Sequence, residues 1–96
     1  MKLLSVKPAT DGKHKYTAKF LKDNGRTKTT NFGAKGYDDY TLTGDKDART
    51  LYLIRHKPRE DWNDPTSAGS LARYLLWGAS SSFAENLAAF KRRFNL

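Results

Sequence analysis

Lys15-Tyr16-Thr17-Ala18-Lys19-Phe20 alternates polar and apolar residues without a break, and Asp23-Asn24-Gly25 follows two residues later. No other stretch restricts the fold as tightly. Strict alternation puts Tyr16, Ala18 and Phe20 on one face of a strand, with Lys15, Thr17 and Lys19 on the other. Asp-Asn-Gly is hairpin chemistry, and the Thr-rich run from Arg26 to Phe32 supplies the returning strand. Loop length then decides everything else. A two-residue Asn-Gly loop would pair Tyr16 with Gly33 and throw Phe32 onto the lysine face. A three-residue loop with Gly25 left-handed pairs Tyr16 with Phe32, Ala18 with Thr30 and Lys19 with Thr29. Only the second gathers the aromatics, because a slip of one residue turns every side chain over. The three-residue loop is therefore expected.

Leu4 and Val6 alternate with Ser5 and Lys7, which predicts a first strand facing the core through Leu4 and Val6. Pro8 to Gly12 is turn chemistry, so that strand should pair antiparallel with the next. Gly33-Ala34-Lys35-Gly36 breaks the third strand. Beyond it the pattern becomes helical. Asp38-Asp39-Tyr40 suggests a short turn of helix. Asp45 is placed to cap a helix reaching about His56, with Arg49 one turn on as its ion-pair partner. Ala48, Leu51, Tyr52 and Arg55 share a face of that helix, although Leu51 to Ile54 also reads as a buried strand. Pro58 ends either element. Asp64-Pro65 predicts the next helix start, with Leu71, Tyr74 and Leu75 on one face and Gly78 as its left-handed cap. Ser82 with Glu85 forms a capping box for a last helix carrying Phe83, Leu87, Phe90 and Phe94.

The expected fold is α+β. A small N-terminal antiparallel sheet of about three strands, built on the hairpin, is packed by about three C-terminal helices. The 96 residues form a single domain, 1–96, with a basic sheet part over 1–34 and a helical part over 35–96.

Charge is the main functional signal. The net charge is +8, and eight of the cations fall in residues 1–30 against only Asp11 and Asp23. Such asymmetry suits a polyanionic partner. The outer sheet face offers Lys7, Lys15 and Lys19 among threonines, without exposed aromatics. That pattern tracks a phosphate backbone rather than stacking bases, and it equally describes a solvated face whose lysines prevent edge pairing. Lys35 between two glycines could meet a phosphate, or simply mark a turn from strand to helix. Lys91, Arg92 and Arg93 end the last helix, where cations complement the macrodipole and could also contact phosphate.

Catalytic and metal chemistry find little support. There is no cysteine, hence no disulfide, thiolate nucleophile or cysteine metal site. Two histidines cannot build a zinc site unaided, and no serine sits in a nucleophile elbow. No catalytic residue, metal ligand or cofactor is expected. No stretch approaches a membrane span, so the chain reads as intracellular. Arg55 to Gly69, punctuated by Pro58 and Pro65, is heavily decorated for a connection. Arg55, Arg59, Glu60 and Asp61 could form an ion-pair network against Trp62. Alternatively Arg55, His56, Arg59 and Trp62 form a docking surface for a partner.

Phe32-Gly33-Ala34-Lys35-Gly36, Asp39-Tyr40-Thr41, Tyr52, Arg55-His56, Glu60 to Pro65, Thr66, Gly69, Arg73, Leu76-Trp77 and Lys91 to Phe94 together carry a resemblance over about residues 15–96. The chain resembles a family of small, uncharacterised basic proteins encoded by large DNA viruses of algae and amoebae. Members often carry a His shortly after Asp-Tyr-Thr, where this chain has Leu42-Thr43-Gly44. The resemblance implies a setting rather than a mechanism: a viral gene product, in the virion or in the host cytoplasm or nucleus. The expected function is non-enzymatic, sequence-tolerant nucleic-acid binding, with DNA ahead of RNA as partner. The alternative is a minor structural protein held by capsid or core proteins.

Overall fold

A computed structural model describes residues 1–96. Its strands are β1 (Lys2–Pro8), β2 (His14–Leu21) and β3 (Thr27–Ala34), antiparallel in the order β1-β2-β3. The hairpin has the three-residue loop. Lys22 and Arg26 close it through a 2.8 Å hydrogen bond, and Gly25 takes a φ of 82° that a side chain would resist. Tyr16 consequently lies opposite Phe32, Ala18 opposite Thr30 and Lys19 opposite Thr29.

β1 departs from the expected alternation. Its register shifts between Leu3 and Ser5, leaving Leu4 as an extra, exposed residue. The bulge turns Leu3 rather than Leu4 toward the core, opposite Phe20, with Val6 opposite Ala18. The same half-turn brings Lys2 to the outer face, opposite Leu21.

Helices cover the inner face. α1 (Tyr40–Thr43) is capped by Asp39, whose carboxylate accepts from Thr41 N–H. α2 (Lys46–His56) is helical throughout, so the strand alternative for Leu51–Ile54 is excluded. Asp45 caps it, accepting from the N–H groups of Asp47 and Ala48. A 3-10 turn over Lys57–Arg59 follows. Leu51 and Ile54 of α2 are exposed, so the apolar face expected there is only partly used.

The next helix starts later than Asp64-Pro65 predicts. Ser67 is the N-cap of α3 (Ala68–Leu71). The reason lies in β3. Thr30 Oγ1 donates to the Thr66 carbonyl at 2.7 Å, and Lys28 Nζ donates to Thr66 Oγ1 at 3.0 Å. Thr66 is docked on the strand and withheld from a helical turn. Asp64 instead accepts from the hydroxyl and N–H of Thr66, in that order the main reasons its acidity is increased. α3 runs on into a π turn (Ala72–Leu76), closed by Trp77 N–H donating to Ala72 O. The extra residue lets the neighbours Leu75 and Leu76 both be buried.

Gly78 is not a left-handed cap, since its φ is not positive. It is a close-approach site. A Cβ there would sit 2.4 Å from Tyr74 O and 2.6 Å from the buried Asn86 side chain. Asn86 ties the turn to α4 (Phe83–Phe94). Its amide donates to Leu75 O and Ser80 O, and its carbonyl accepts from Ser80 N–H.

Ser82 caps α4 by accepting from Glu85 N–H at 3.3 Å. The expected return contact from Glu85 to Ser82 is absent. Ser80 relays it, accepting from Ser82 N–H and donating its hydroxyl to Glu85. Ser82→Ala removes one N-terminal acceptor and should cost about 1 kcal/mol. Urea unfolding curves measure this; curves that superimpose would show that Ser82 does not cap α4.

The core joins Ala18, Phe20 and Phe32 of the sheet to Leu71, Leu75 and Leu76 of the α3 segment and Phe90 of α4. Tyr16 stacks on both Phe32 and Phe83, with centroids 5.7 and 4.7 Å away. The helical layer is thereby fixed to one face of the sheet, and the other face is left to solvent.

Candidate nucleic-acid interface

The pairings define rows of side chains running across the free face. Lys7, Thr17 and Asn31 form one row, and Ser5, Lys19 and Thr29 form the next. Lys2, Leu21 and Thr27 form a third beyond the bulge. Lys2, Lys7 and Lys19 are exposed, and no ion pair holds any of them. Thr17 donates to the Asn31 amide oxygen at 2.6 Å, which leaves the Asn31 amide N–H groups for other partners. Asp11 takes one of them at 3.3 Å. Hydrogen bonds from the His14 ring, then from the Lys13 and His14 N–H groups, hold Asp11 far below the usual carboxylate range. It remains an anion at the rim, beside the rows rather than between them.

Lys15 does not belong to this surface. Its ammonium is bound to Asp39 at 2.5 Å, and the two side chains are only 15% and 1% exposed. Gly33, with a φ of 76°, bends β3 beside it; a Cβ there would strike Leu76 and crowd the Lys15 stem. Lys15 is a structural cation, and its expected role as a phosphate contact is withdrawn. The turn around Lys35 has fewer free backbone donors than a phosphate cradle would use. Lys35 N–H donates to Lys13 O and Tyr37 N–H to Ala34 O, so two of the backbone donors are engaged. The Lys35 side chain itself is exposed past the end of the sheet.

The expected docking cluster divides. Glu60 accepts from His56 Nδ1 at 2.9 Å and from Trp62 Nε1 at 3.1 Å. It does so instead of pairing with Arg55 or Arg59, which remain exposed without carboxylate partners. Asp61 caps its own turn through Asn63 N–H. The ion-pair network is therefore not formed. His56 and Trp62 join a half-buried arrangement in which Tyr52 stacks on His56 at 4.1 Å and on Trp77 at 4.5 Å. Burial, then the Glu60 charge, raise the Tyr52 phenol above its ordinary pKa and keep it neutral.

Arg92 and Arg93 line a groove in the helical layer, and Lys91 is exposed in the same last turn of α4. Arg49 and Arg73 share that groove, and neither was expected there. Arg49 does not pair with Asp45. Its Nε donates to Trp77 O and Gly78 O at 3.1 and 2.8 Å. The four arginines come from α2, the π turn and α4, so only the packed fold brings them together.

No helix is long and apolar enough to cross a membrane. No curated protein and no solved structure matches the chain. A family model described as a family of unknown function (DUF5754) matches residues 4–56. That segment carries most of β1, all of β2 and β3 and the whole of α2, and with them nearly all of the free sheet face. Since the match spans more than half of the 96 residues, the chain belongs to the DUF5754 family.

Proposed function

We propose that this protein is a non-enzymatic, sequence-tolerant nucleic-acid-binding protein whose interface is the free face of the sheet. The observation that carries the reading is the set of adjacent rows in which Lys2, Lys7 and Lys19 stand among Ser5, Thr17, Thr27, Thr29 and Asn31. Lysines act there as point charges on phosphates, and hydroxyls and amides add short-range donors. The three strands place these groups within about 10 Å across the sheet. The face presents no aromatic residue, so it has no platform for unstacked bases. Duplex DNA is accordingly the partner favoured over single strands or RNA. In the viral setting that the resemblance implies, this would be genome-associated DNA, in the virion or in the host cytoplasm or nucleus.

Exposed Leu51 and Ile54 on α2, with Leu42 nearby in sequence, favour a second reading. In it the protein is a minor structural component held by capsid or core proteins through that apolar helix face.

Salt dependence separates the two. Binding of a mixed-sequence duplex should weaken steeply as salt rises. Replacing Lys2, Lys7 and Lys19 with Gln should lower the log–log slope by roughly 2–3 units. Unrelated sequences should lose affinity equally, and thermal stability should hold, because these side chains are exposed. Absence of salt-dependent binding by the wild type would sink the nucleic-acid reading.

A further inference from the structure

The arginine groove is a separate problem from the sheet face. Arg49, Arg73, Arg92 and Arg93 line a cavity of about 550 Å³, and no carboxylate lies within ion-pair distance of any of them. Glu85, the one acidic residue of the lining, is engaged by the Ser80 hydroxyl at 2.5 Å. Aromatic faces take the place of counterions. Arg73 lies over Trp62 and Tyr74 at 5.2 and 4.9 Å, and Arg93 lies over Tyr74 at 4.7 Å.

A purely structural role explains part of this cluster. Arg49 Nε and Arg73 Nη1 both donate to Trp77 O, a carbonyl at the end of the π turn that needs donors. It does not explain the rest. Arg73 Nε is buried without any partner, a rare and costly state for a cationic donor. Burial, then the Arg49 charge, with Arg93 contributing less, make Arg73 easier to deprotonate than an ordinary guanidinium. Arg92 and Arg93 add two further cations to the same cavity while capping nothing there. Like charges gathered around a concavity, with no carboxylate paired to any of them, are the arrangement that an anion relieves.

We propose that this groove is a binding site for a phosphoryl group, held by the unused guanidinium N–H donors of Arg73 and Arg49 and enclosed by Arg92 and Arg93. Forked guanidinium donors match the oxygens of a phosphate, and a dianionic group cancels the repulsion among them. The group has two sources of the same chemistry: a free nucleotide or pyrophosphate, or the terminal phosphate of a nucleic-acid strand. The site is independent of the sheet face, which lies on the opposite side of the sheet from the helical layer.

The test is calorimetric titration with pyrophosphate, and with a short oligonucleotide bearing either a 5′-phosphate or a 5′-hydroxyl. Trp62 fluorescence follows the same titrations, because Arg73 lies on its ring. Saturable one-to-one binding of pyrophosphate or of the phosphorylated strand is expected. Arg92→Gln with Arg93→Gln, exposed positions whose exchange should leave the fold intact, should weaken it by about tenfold or more. Arg73→Lys keeps a charge but loses the fork and should weaken it comparably. The Lys2, Lys7 and Lys19 to Gln variant should bind pyrophosphate as the wild type does. Pyrophosphate binding alone assigns the site to a free ligand; preference for the 5′-phosphate assigns it to a strand end. Lack of saturable binding to all three probes overturns the proposal, as does equal weakening by the lysine variant. A wild type that binds pyrophosphate but no duplex would remove the sheet-face reading and leave this one standing.

Discussion

Asp39→Ala should leave the protein close to unfolding, with a loss of about 3–5 kcal/mol. Asp39 is 1% exposed and serves two structures at once. One carboxylate oxygen holds the Lys15 ammonium at 2.5 Å; the other accepts from the N–H and hydroxyl of Thr41 at the start of α1. Removing it strands a largely buried ammonium and uncaps the helix together. Against a net stability of about 5–15 kcal/mol for a domain, that is a large fraction. The cause can be isolated. Combining Asp39→Ala with Lys15→Met removes both charges, so the double variant should recover part of the loss, as replaced buried pairs generally do. Denaturant unfolding of the wild type, both single variants and the double measures the coupling. A loss below about 1 kcal/mol for Asp39→Ala would mean that Lys15 reaches solvent freely, as an exposed surface pair would allow.

Phe32→Ala should cost a similar amount, about 3–5 kcal/mol, through lost burial and the cavity left behind. Phe32 is 1% exposed, faces Tyr16 across the hairpin and packs into the core formed with the α3 segment. Phe32→Leu retains most of that contact and should cost under about 1.5 kcal/mol. The pair tests the register directly. In the alternative two-residue hairpin Phe32 would stand among lysines in solvent, and neither substitution would matter by more than about 0.5 kcal/mol.

What the sequence made legible was local. The hairpin register followed from strand alternation and Asp23-Asn24-Gly25, because only one loop length gathers Tyr16, Ala18, Phe20 and Phe32. Asp45 and Ser82 were recognisable as caps, and Asp38-Asp39-Tyr40 as a short turn of helix, since a cap acts on residues two or three positions away. Asp64-Pro65 carried the same local signal and was overridden, because Lys28 and Thr30 hold Thr66 from 38 and 36 positions away. Long-range partners were equally hidden elsewhere. Lys15 alternates like its neighbours, yet Asp39 captures it from 24 positions along the chain. Leu4 looked like a core residue, and only the bulge against β2 exposes it. The arginine groove had no sequence signature. Arg49 stood as a helix-surface ion-pair partner of Asp45, and Arg73 only as one residue of the family resemblance, with no role at a site. Their convergence depends on the π turn that presents Trp77 O.

The proposed function turns on which surface meets nucleic acid. Amide chemical-shift mapping of the labelled protein with a short mixed-sequence duplex at low salt tests this residue by residue. Ser5, Lys7, Thr17, Lys19, Thr29 and Asn31 are expected to shift together and to return toward their free positions as salt is raised. Shifts confined to Leu51, Ile54 and the exposed side of α2, or no shifts at all, would contradict the proposed function.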